Sequence, residues 1–412
     1  MNLNSHNIQI IPEITHLDNN GNKIKTIAYP VEDVIGNDSN IELTLYEKDG
    51  TVKDYFQIPF KSWTKNLLLY YFYKHSHTSW VLPDIAGTNR TINVAYYPMF
   101  TGAANTSGQS IIVGASASAA TQSINSFKLA GQITHGTSLG QLTHNAATLD
   151  TGFSQVSGSY QYSLFRTFTN NSAGNVNVTE VGLTVIPNGS TAYQFLFARD
   201  IVDANGDPIN VTVNPTQVLT VKYNLYFPIT NGITRGFVSI FLADYANTTL
   251  STGYVGMGSD KGLLSYPVAA QGHYRYRLNA ITAGTAYGGI CVGTGSTAFS
   301  LDDNKLEWIS HGTGSSQQIL HGAQTYDGAL TYTYSSSGSA AEYTIQRVFT
   351  NGGTDPVTIR ESALVYNGTT ADVNGSGVID TVKTTVIRTL TGDQVVPSGS
   401  SIEMSYKMMI KV

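Results

Sequence analysis

The chain has 412 residues, and only 12% of them are charged, with Lys+Arg at 23 and Asp+Glu at 28. Average domains carry about 25% charged residues, so we expect a surface built mainly from neutral polar side chains. The net charge of −5 gives no basic footprint for a nucleic-acid backbone, and the mean hydropathy of −0.08 is far too polar for a membrane protein. Nucleic acid and membrane insertion are therefore not expected.

Cys291 is the single cysteine, which excludes an internal disulfide and cysteine-based zinc knuckles. Residues 1–14 lack a basic stretch followed by an apolar core. The densest apolar run, Leu67–Tyr73, is much shorter than the roughly 20 residues of a transmembrane helix. The sequence thus predicts a soluble protein without an export signal.

Segments that alternate apolar with polar residues dominate the chain from its start to its end. Asp49-Gly50 lies between two of them and is the clearest hairpin signal, because both residue types tolerate positive φ. This period of two predicts antiparallel strands with one solvated face, and hence an all-β fold. The clearest segments are Ile41–Tyr46, Val176–Val185, Val211–Tyr223, Tyr343–Phe349 and Ile402–Val412.

Helix is expected at two places only. One predicted helix spans Ser62–Lys74, with Ser62 as its N-cap and an apolar face that includes Trp63 and Leu67. The second spans Gly236–Ala246. Both segments mark the start of a longer repeated stretch.

An internal duplication extends over most of the sequence. Ile133-Thr134-His135-Gly136 recurs as Ile309-Ser310-His311-Gly312, and Phe165–Asn170 recurs as Gln346–Asn351 at nearly the same offset. The offset drifts only slightly along the chain, so each copy is long enough to have its own core. We predict two tandem antiparallel β-sandwich units of jelly-roll-like type with short helices, preceded by an N-terminal β segment. The predicted boundaries are 1–58 for the N-terminal β-hairpin segment, 59–230 for unit 1 and 231–412 for unit 2.

Four motifs occur in a fixed order within the repeat. They are a Val-Gly-Thr-Gly turn (292–295 in unit 2), the Arg-x-Phe-Thr-Asn strand, a Glu-x-Gly-Leu strand (180–183 in unit 1) and an Ala-Arg-Asp strand (198–200 in unit 1). In this order they resemble a family of tailed-bacteriophage virion proteins. The motifs are degenerate, since Gly182 becomes Ala363 in the second unit. The resemblance implies a structural component of a virus particle, located in the virion after assembly in the host cytoplasm.

Charged residues that recur in both units are informative because charge is scarce. They sit in strands flanked by apolar residues, so we predict a partly buried Arg–Glu–Arg cluster in each unit that fixes strand register. Such a cluster gives little net stabilisation, because desolvation offsets the Coulomb attraction. A carboxylate between two arginines has a lowered pKa and is a poor proton donor, which disfavours catalysis. The members are Arg166, Glu180 and Arg199 in unit 1, and Arg347, Glu361 and Arg388 in unit 2.

Two kinds of metal site are conceivable, and neither is favoured. The pairs His135…His144 and His311…His321 lack an Asp, Glu or Cys at ligand spacing, so a turn role is preferred. The segment that begins at Asp372 and contains Asn374 resembles the start of a calcium loop, but Lys383 stands where a bidentate Glu belongs. We therefore expect no metal and no other cofactor.

Paired tyrosines on alternating positions project to one face of a strand, where they can form a subunit contact or stack on sugar rings. The pairs singled out are Tyr160 with Tyr162, Tyr274 with Tyr276 and Tyr332 with Tyr334. A core or subunit contact is preferred over a glycan platform.

The duplicated, weakly charged β chain favours a role in protein–protein assembly. The resemblance implies that this role is that of a virion component, which forms a homo-oligomer and contacts other virion proteins. The alternative is a carbohydrate-binding receptor or adhesion protein that contacts a host-surface glycan. A glycan-cleaving enzyme needs two carboxylates about 5–9 Å apart. Asp302, Asp303 and Asp327 are the clearest candidates, but unit 1 has no matching set, so no enzyme is predicted.

Overall fold

The protein is represented by a computed structural model, and it is nearly all β. The structure describes residues 8–29, 39–60, 62–76, 80–92, 98–100, 102–116, 123–150, 154–156, 159–187, 193–204, 207–228, 253–255, 264–266, 281–285, 288–299, 306–335, 338–369 and 381–410. The predicted helix at Gly236–Ala246 lies outside these residues. In the part of the chain that is described, no helix is long and apolar enough to cross a bilayer.

The described residues form one helix and a long series of strands. Up to residue 150 these are β1 (Ile8–Leu17), β2 (Lys23–Ala28), β3 (Asn40–Tyr46), β4 (Val52–Pro59), α1 (Lys65–Ser76), β5 (Trp80–Pro83), β6 (Asn89–Ile92), β7 (Pro98–Met99), β8 (Ser110–Gly114), β9 (Thr143–His144) and β10 (Thr148–Leu149). From there to residue 228 they are β11 (Ser154–Val156), β12 (Ser159–Thr169), β13 (Val176–Val178), β14 (Glu180–Pro187), β15 (Phe195–Ile201), β16 (Asp203–Ala204), β17 (Asp207–Pro208), β18 (Val211–Val213) and β19 (Val218–Pro228). The remainder are β20 (Gly253–Val255), β21 (Leu264–Tyr266), β22 (Gly289–Gly293), β23 (Ser310–His311), β24 (Gln318–Ser335), β25 (Gly338–Thr350), β26 (Val357–Thr369), β27 (Thr381–Val396) and β28 (Ser401–Ile410).

Two large sheets dominate the fold. Sheet I has seven strands, with the order β10-β12-β19-β3-β4 and with β9 and β11 also paired to β12. Sheet II has six strands in the order β2-β1-β28-β25-β24-β23. Two smaller sheets accompany them: sheet III consists of β15-β14-β7 with β8 paired to β14, and sheet IV consists of β22-β26-β27.

Strand registers repeat between the two halves of the chain. Arg166 lies opposite Val221 in sheet I, and Arg347 lies opposite Met404 in sheet II. Glu180 lies opposite Gly114 in sheet III, and in sheet IV the same pairing joins Glu361 to Gly293. The equivalences derived from the duplicated sequence are therefore also equivalences of strand pairing.

The N-terminal segment contributes strands to both large sheets. Its first hairpin, β1–β2, pairs with the last strand β28, whereas its second hairpin, β3–β4, pairs with β19. Each hairpin therefore completes one of the two large sheets. The N-terminal segment therefore supplies two β-hairpins, and the first of them is part of the sheet that contains β28. The boundaries after residues 58 and 230 remain predictions.

The Asp49-Gly50 hairpin is confirmed. Gly50 has a φ of 87°, and the carboxylate of Asp49 accepts hydrogen bonds from the backbone N–H (3.0 Å) and the hydroxyl (2.7 Å) of Thr51. A side chain at Gly50 would be strained by this φ, which explains a glycine at this turn. The predicted antiparallel pairing of the flanking strands follows.

The first helix begins later than predicted. Before α1, Trp63 forms an isolated bridge with Ala198, and Thr64 N–H donates to Phe197 O at 2.8 Å. Ser62 O accepts from Arg199 N–H at 3.0 Å, so Ser62 extends a sheet edge and is not an N-cap. Pairing with β15 thus competes with helix for these residues and delays its start to Lys65.

One continuous apolar cluster occupies the interior. It contains buried side chains of both large sheets and of the helix, for example Ile14, Leu43, Leu67, Val221 and Ile345. α1 lies against β5 and β15 and also contacts β25 and β28. The helix therefore packs between elements of both halves.

Candidate functional site

Arg166 is the centre of the first buried polar group. It projects inward from β12, is fully buried, and its guanidinium donates to backbone carbonyls of neighbouring loops and of β8. The acceptors are Asn145 O (2.7 Å from Nε), Gln109 O (2.5 Å) and Ile111 O (3.0 Å) from Nη1, and Ala103 O (3.1 Å) and Thr106 O (2.9 Å) from Nη2. Burial lowers the pKa of Arg166 to about 10, so the group stays charged at neutral pH.

Arg347 repeats this arrangement in the second half. It is also fully buried, and burial lowers its pKa. Its acceptors are Gly322 O (2.9 Å from Nε), Gly288 O (3.4 Å) and Ile290 O (2.8 Å) from Nη1, and Thr285 O (2.5 Å) from Nη2. The acceptors in Thr285, Gly288 and Ile290 follow those in Thr106, Gln109 and Ile111 at one constant offset in the sequence. Each arginine thus fixes several carbonyls that would otherwise be buried without a donor.

The predicted Arg–Glu–Arg clusters do not form. In each half the structure instead has an arginine that donates to backbone carbonyls and, separately, an Arg–Glu ion pair. Arg166 and Arg347 donate to backbone carbonyls and not to the glutamates. Arg199 Nε donates to Glu180 Oε2 at 2.8 Å, and Arg388 Nε donates to Glu361 Oε2 at 2.7 Å. The reason is geometric, because Arg166 lies on sheet I whereas Glu180 and Arg199 lie on adjacent strands of sheet III.

The glutamates are held by backbone groups as well as by arginine. Glu180 Oε1 accepts from Gly131 N–H at 2.8 Å, and Glu361 Oε1 accepts from Glu307 N–H at 2.6 Å and Gly295 N–H at 3.1 Å. Both carboxylates are about 1% exposed or less. With an arginine and backbone donors on the same carboxylate, these pairs are structural contacts with no access for a substrate.

Glycine at the end of β8 and of β22 makes room for these carboxylates. A Cβ placed on Gly114 would lie 2.6 Å from Glu180 Oε1, and one placed on Gly293 would overlap Glu361 Oε1. A Cβ on Gly295 would lie 2.5 Å from the same Glu361 oxygen. The glycines of the Val-Gly and Val-Gly-Thr-Gly motifs are thus required by the close approach of a carboxylate side chain.

The histidine pairs join the same network. His144 N–H donates to His135 Nδ1 at 3.1 Å, and His144 Nδ1 lies 3.0 Å from Thr106 O, the carbonyl that also accepts from Arg166. In the second half His321 N–H donates to His311 Nδ1 at 2.9 Å, and His321 Nδ1 lies 3.3 Å from Thr285 O. Both pairs therefore act as turn residues around the buried arginine.

Burial lowers the pKa of His144 and of His321 to about 4, and the neighbouring Arg166 or Arg347 charge acts in the same direction. Both rings are neutral at pH 7. Each also packs edge-on against a phenylalanine of the motif strand, His144 with Phe168 at 5.0 Å and His321 with Phe349 at 5.1 Å between ring centroids.

The candidate metal ligands do not form a site in the described residues. Nδ1 of all four histidines is engaged with a backbone group, and the rings of His144 and His321 are buried. Within the described ranges no three His, Cys, Asp or Glu side chains are grouped so as to hold a metal ion. Asp372 and Asn374 lie outside those ranges.

The aromatic and acidic candidates lie largely outside the described residues. Tyr274 and Tyr276 are not described, nor are Asp302 and Asp303. The backbones of Tyr332 and Tyr334 pair with Ala341 and Ser339 in sheet II, and that of Asp327 pairs with Thr344, but their side chains are not described.

Sequence reasoning gave no role to the asparagine that ends the Arg-x-Phe-Thr-Asn motif. Asn170 is buried and its amide donates to Gly174 O (2.8 Å) and Val213 O (2.7 Å). Asn351 does the same with Asp355 O (2.8 Å) and Val396 O (2.9 Å). The available signal was its recurrence at the same offset as the motif arginine.

Comparisons with protein-family models, with curated proteins and with solved structures give no match. The chemistry of the site therefore has to be inferred from its own geometry. The arginines, glutamates and asparagines that recur in the two halves are buried and directed at the backbone or at an adjacent side chain of the same chain. This arrangement stabilises loops and sheets.

Proposed function

We propose that this protein is a structural component of a tailed-bacteriophage virion, on the tail, neck or capsid exterior, and that it acts through protein–protein assembly without catalysis. Its partners would be further copies of itself and other virion proteins, and its location the virion after assembly in the host cytoplasm. The resemblance of the motif order to virion proteins supports this proposal.

The observation that carries the proposal is the burial of the polar residues that recur in both halves. A catalytic or ligand-binding group has to reach a substrate, so it keeps at least one polar atom free on the wall of a cleft. Arg166, Glu180 and Arg199, like their counterparts in the second half, are instead buried and bound to backbone groups or to each other. Retention of these residues in both halves thus serves the fold, which leaves the surfaces for contacts with other proteins.

We also propose that each half is an antiparallel β-sandwich of jelly-roll-like type. Arg166 on sheet I donates to Ile111 O on β8 of sheet III, and Arg347 on sheet II donates to Ile290 O on β22 of sheet IV. Hydrogen bonds from an arginine of one sheet to the backbone of another, across a shared apolar cluster, support two facing sheets in each half. The two sandwiches give one chain two similar but non-identical faces, which suits a bridging role in a symmetric assembly.

The test is the composition of purified particles. We expect peptides of this chain in density-purified phage particles, in stoichiometric amount to a known virion protein, and we expect soluble phage enzymes to be depleted from the same fractions. Imaging of labelled particles would then give the position. Absence from every particle fraction would contradict the proposal.

A glycan-binding screen distinguishes the alternative of a receptor-recognition protein. Binding that is lost in the Tyr274→Ala and Tyr276→Ala variants would favour host-surface glycan recognition. No binding to any host-surface sugar would leave the assembly role.

A further inference from the structure

The two large sheets each end in an exposed strand. β2 is the outer strand of sheet II and β4 is the outer strand of sheet I. All residues of β2 except Ile27 are exposed, and β4 is exposed from Val52 to Tyr55. Ile24 is 68%, Val52 58% and Tyr55 54% exposed, which is unusual for large apolar side chains. Within the part of the chain that the structure describes, these outer strands expose apolar side chains, and such edges invite pairing with another strand.

The two edges belong to equivalent hairpins. Gly21 and Gly50 both have positive φ in the turns, and they follow Ile14 and Leu43 at the same spacing. Ile14 and Leu43 in turn lie opposite the equivalent residues Met404 and Val221. Each outer strand also has a bulge at the same position, at Ile24 in β2 and at Lys53 in β4. The edges are therefore alike in shape.

The edges differ in charge. β2 presents Lys23 and Lys25 and has no acidic residue, although Asp18 lies in its turn. β4 presents Lys53 and Asp54, with Glu47, Lys48 and Asp49 in its turn. Pairing of β2 with a second β2 would bring lysines together, which is unfavourable. The lysines of β2 are therefore better matched by β4, which carries the carboxylate of Asp54.

We propose that β4 of one copy pairs antiparallel with β2 of the next copy, with Lys25 opposite Asp54. Sheet I of one copy and sheet II of the next then form one continuous sheet. The inference deepens the proposed function, on which it rests, by naming the surface through which copies assemble.

This contact is head-to-tail, because every copy has one edge of each kind. Repetition of such a contact generates a closed ring or a filament. Pairing of β4 with a second β4 would also join Lys53 to Asp54, but it would leave every β2 edge uncovered. The bulges shorten the ladder, so association of two free copies is weak and strengthens when many copies close an assembly.

Disulfide trapping tests the register directly. Cys291, the single native cysteine, is buried and does not compete for cross-linking. We expect a mixture of Lys25→Cys and Asp54→Cys chains, distinguished by a size tag, to give a mixed disulfide dimer, because directly opposite residues bring their Cβ atoms to about 4.5–5.5 Å. Lys25→Cys alone should stay monomeric. The matched control Lys128→Cys, at an exposed site outside both sheets, should not cross-link with either variant.

Charge reversal gives an independent readout in sedimentation velocity over a concentration series. Lys25→Glu or Asp54→Lys should weaken self-association about tenfold, and the double variant should restore it, whereas Lys128→Glu should have no effect. Cross-linking of Asp54→Cys with itself and none with Lys25→Cys would overturn the proposal in favour of a β4–β4 dimer. A chain found in particles but without the mixed cross-link would refute this interface and leave the proposed function standing.

Discussion

At the scale of single residues, a chain with few charges places two arginines entirely in its interior. A buried guanidinium is costly to desolvate, and the cost is offset only if its donors are satisfied. Arg166 meets this condition with five backbone carbonyls. Its planar, forked donors suit several acceptors at once, and a lysine ammonium would not reach them all. The arginine thus holds loops and sheets in a fixed arrangement.

Replacing this buried arginine should lower the stability of the fold much more than replacing a surface arginine. We expect Arg166→Met and Arg347→Met each to lower the free energy of unfolding by about 3 kcal/mol or more, since several buried carbonyls lose their donors. Arg360, which is 40% exposed and pairs with Asp393 at 2.7 Å, is the control. Arg360→Met should cost less than about 1 kcal/mol. Chemical denaturation measures all three, and equal effects would argue against a structural role of the buried pair.

At the scale of elements, the first hairpin is part of the sheet that contains the last strand. Ile14 on β1 is 1% exposed and lies opposite Met404 on β28, while Leu43 on β3 is fully buried opposite Val221 on β19. The two apolar residues therefore hold equivalent positions in different sheets. A change near the chain start should consequently be felt near the chain end.

Ile14→Ala and Leu43→Ala form a matched pair that tests this connection. Each should lower the free energy of unfolding by about 2–5 kcal/mol, as buried large-to-small changes do. In amide hydrogen exchange, Ile14→Ala should reduce protection in β28 and β25, and Leu43→Ala in β19 and β12, because local opening follows the sheet that is weakened. Identical exchange profiles for the two variants would contradict separate sheets.

Strands were predictable because alternation of apolar and polar residues is a local property, and the Asp49-Gly50 turn was predictable because few residues accept its φ. Strand partners were not. Periodicity carries no information on which strand lies next to β1, whose partner β28 lies at the opposite end of the chain. Periodicity could not identify the partners of Arg166 either. Its flanking residues indicated that it is buried, but its partners depend on how the sheets meet. Ser62 was misread because pairing with β15 outweighed a favourable N-cap residue.

At the scale of the whole molecule, the ends of the chain close the fold. β1 pairs with β28, so sheet II is completed only when the last strand has been synthesised. Contacts with such a large sequence separation slow folding, because loop closure comes before the contacts that stabilise it. The shared apolar cluster and the helix between the halves make the two large sheets parts of one body of structure. Global stability should therefore respond to features that both halves carry.

The buried histidines are such a feature, since each half has one. Their pKa is lowered from 6.5 to about 4 in the folded chain, so between these values the unfolded chain binds more protons than the folded chain. The free energy of unfolding should then rise as pH increases from about 4 to about 6.5 and level off above that, and it should be lost as pH falls through this window. Asp18, Asp49 and Asp84 have a lowered pKa, and their contribution is lost only below about 3.8.

Thermal unfolding at a series of pH values across this window measures the effect. In the double variant His144→Asn and His321→Asn, the amide can still donate to Thr106 O and Thr285 O but does not titrate, so the melting temperature should vary less with pH than in the unaltered chain. His135 and His311, the partners of the buried histidines, provide the control. His135→Asn and His311→Asn leave both buried rings in place, so the melting temperature should keep its full dependence on pH. If the double variant of the buried rings retained the slope of the unaltered chain, the titrating groups would have to lie elsewhere in the molecule.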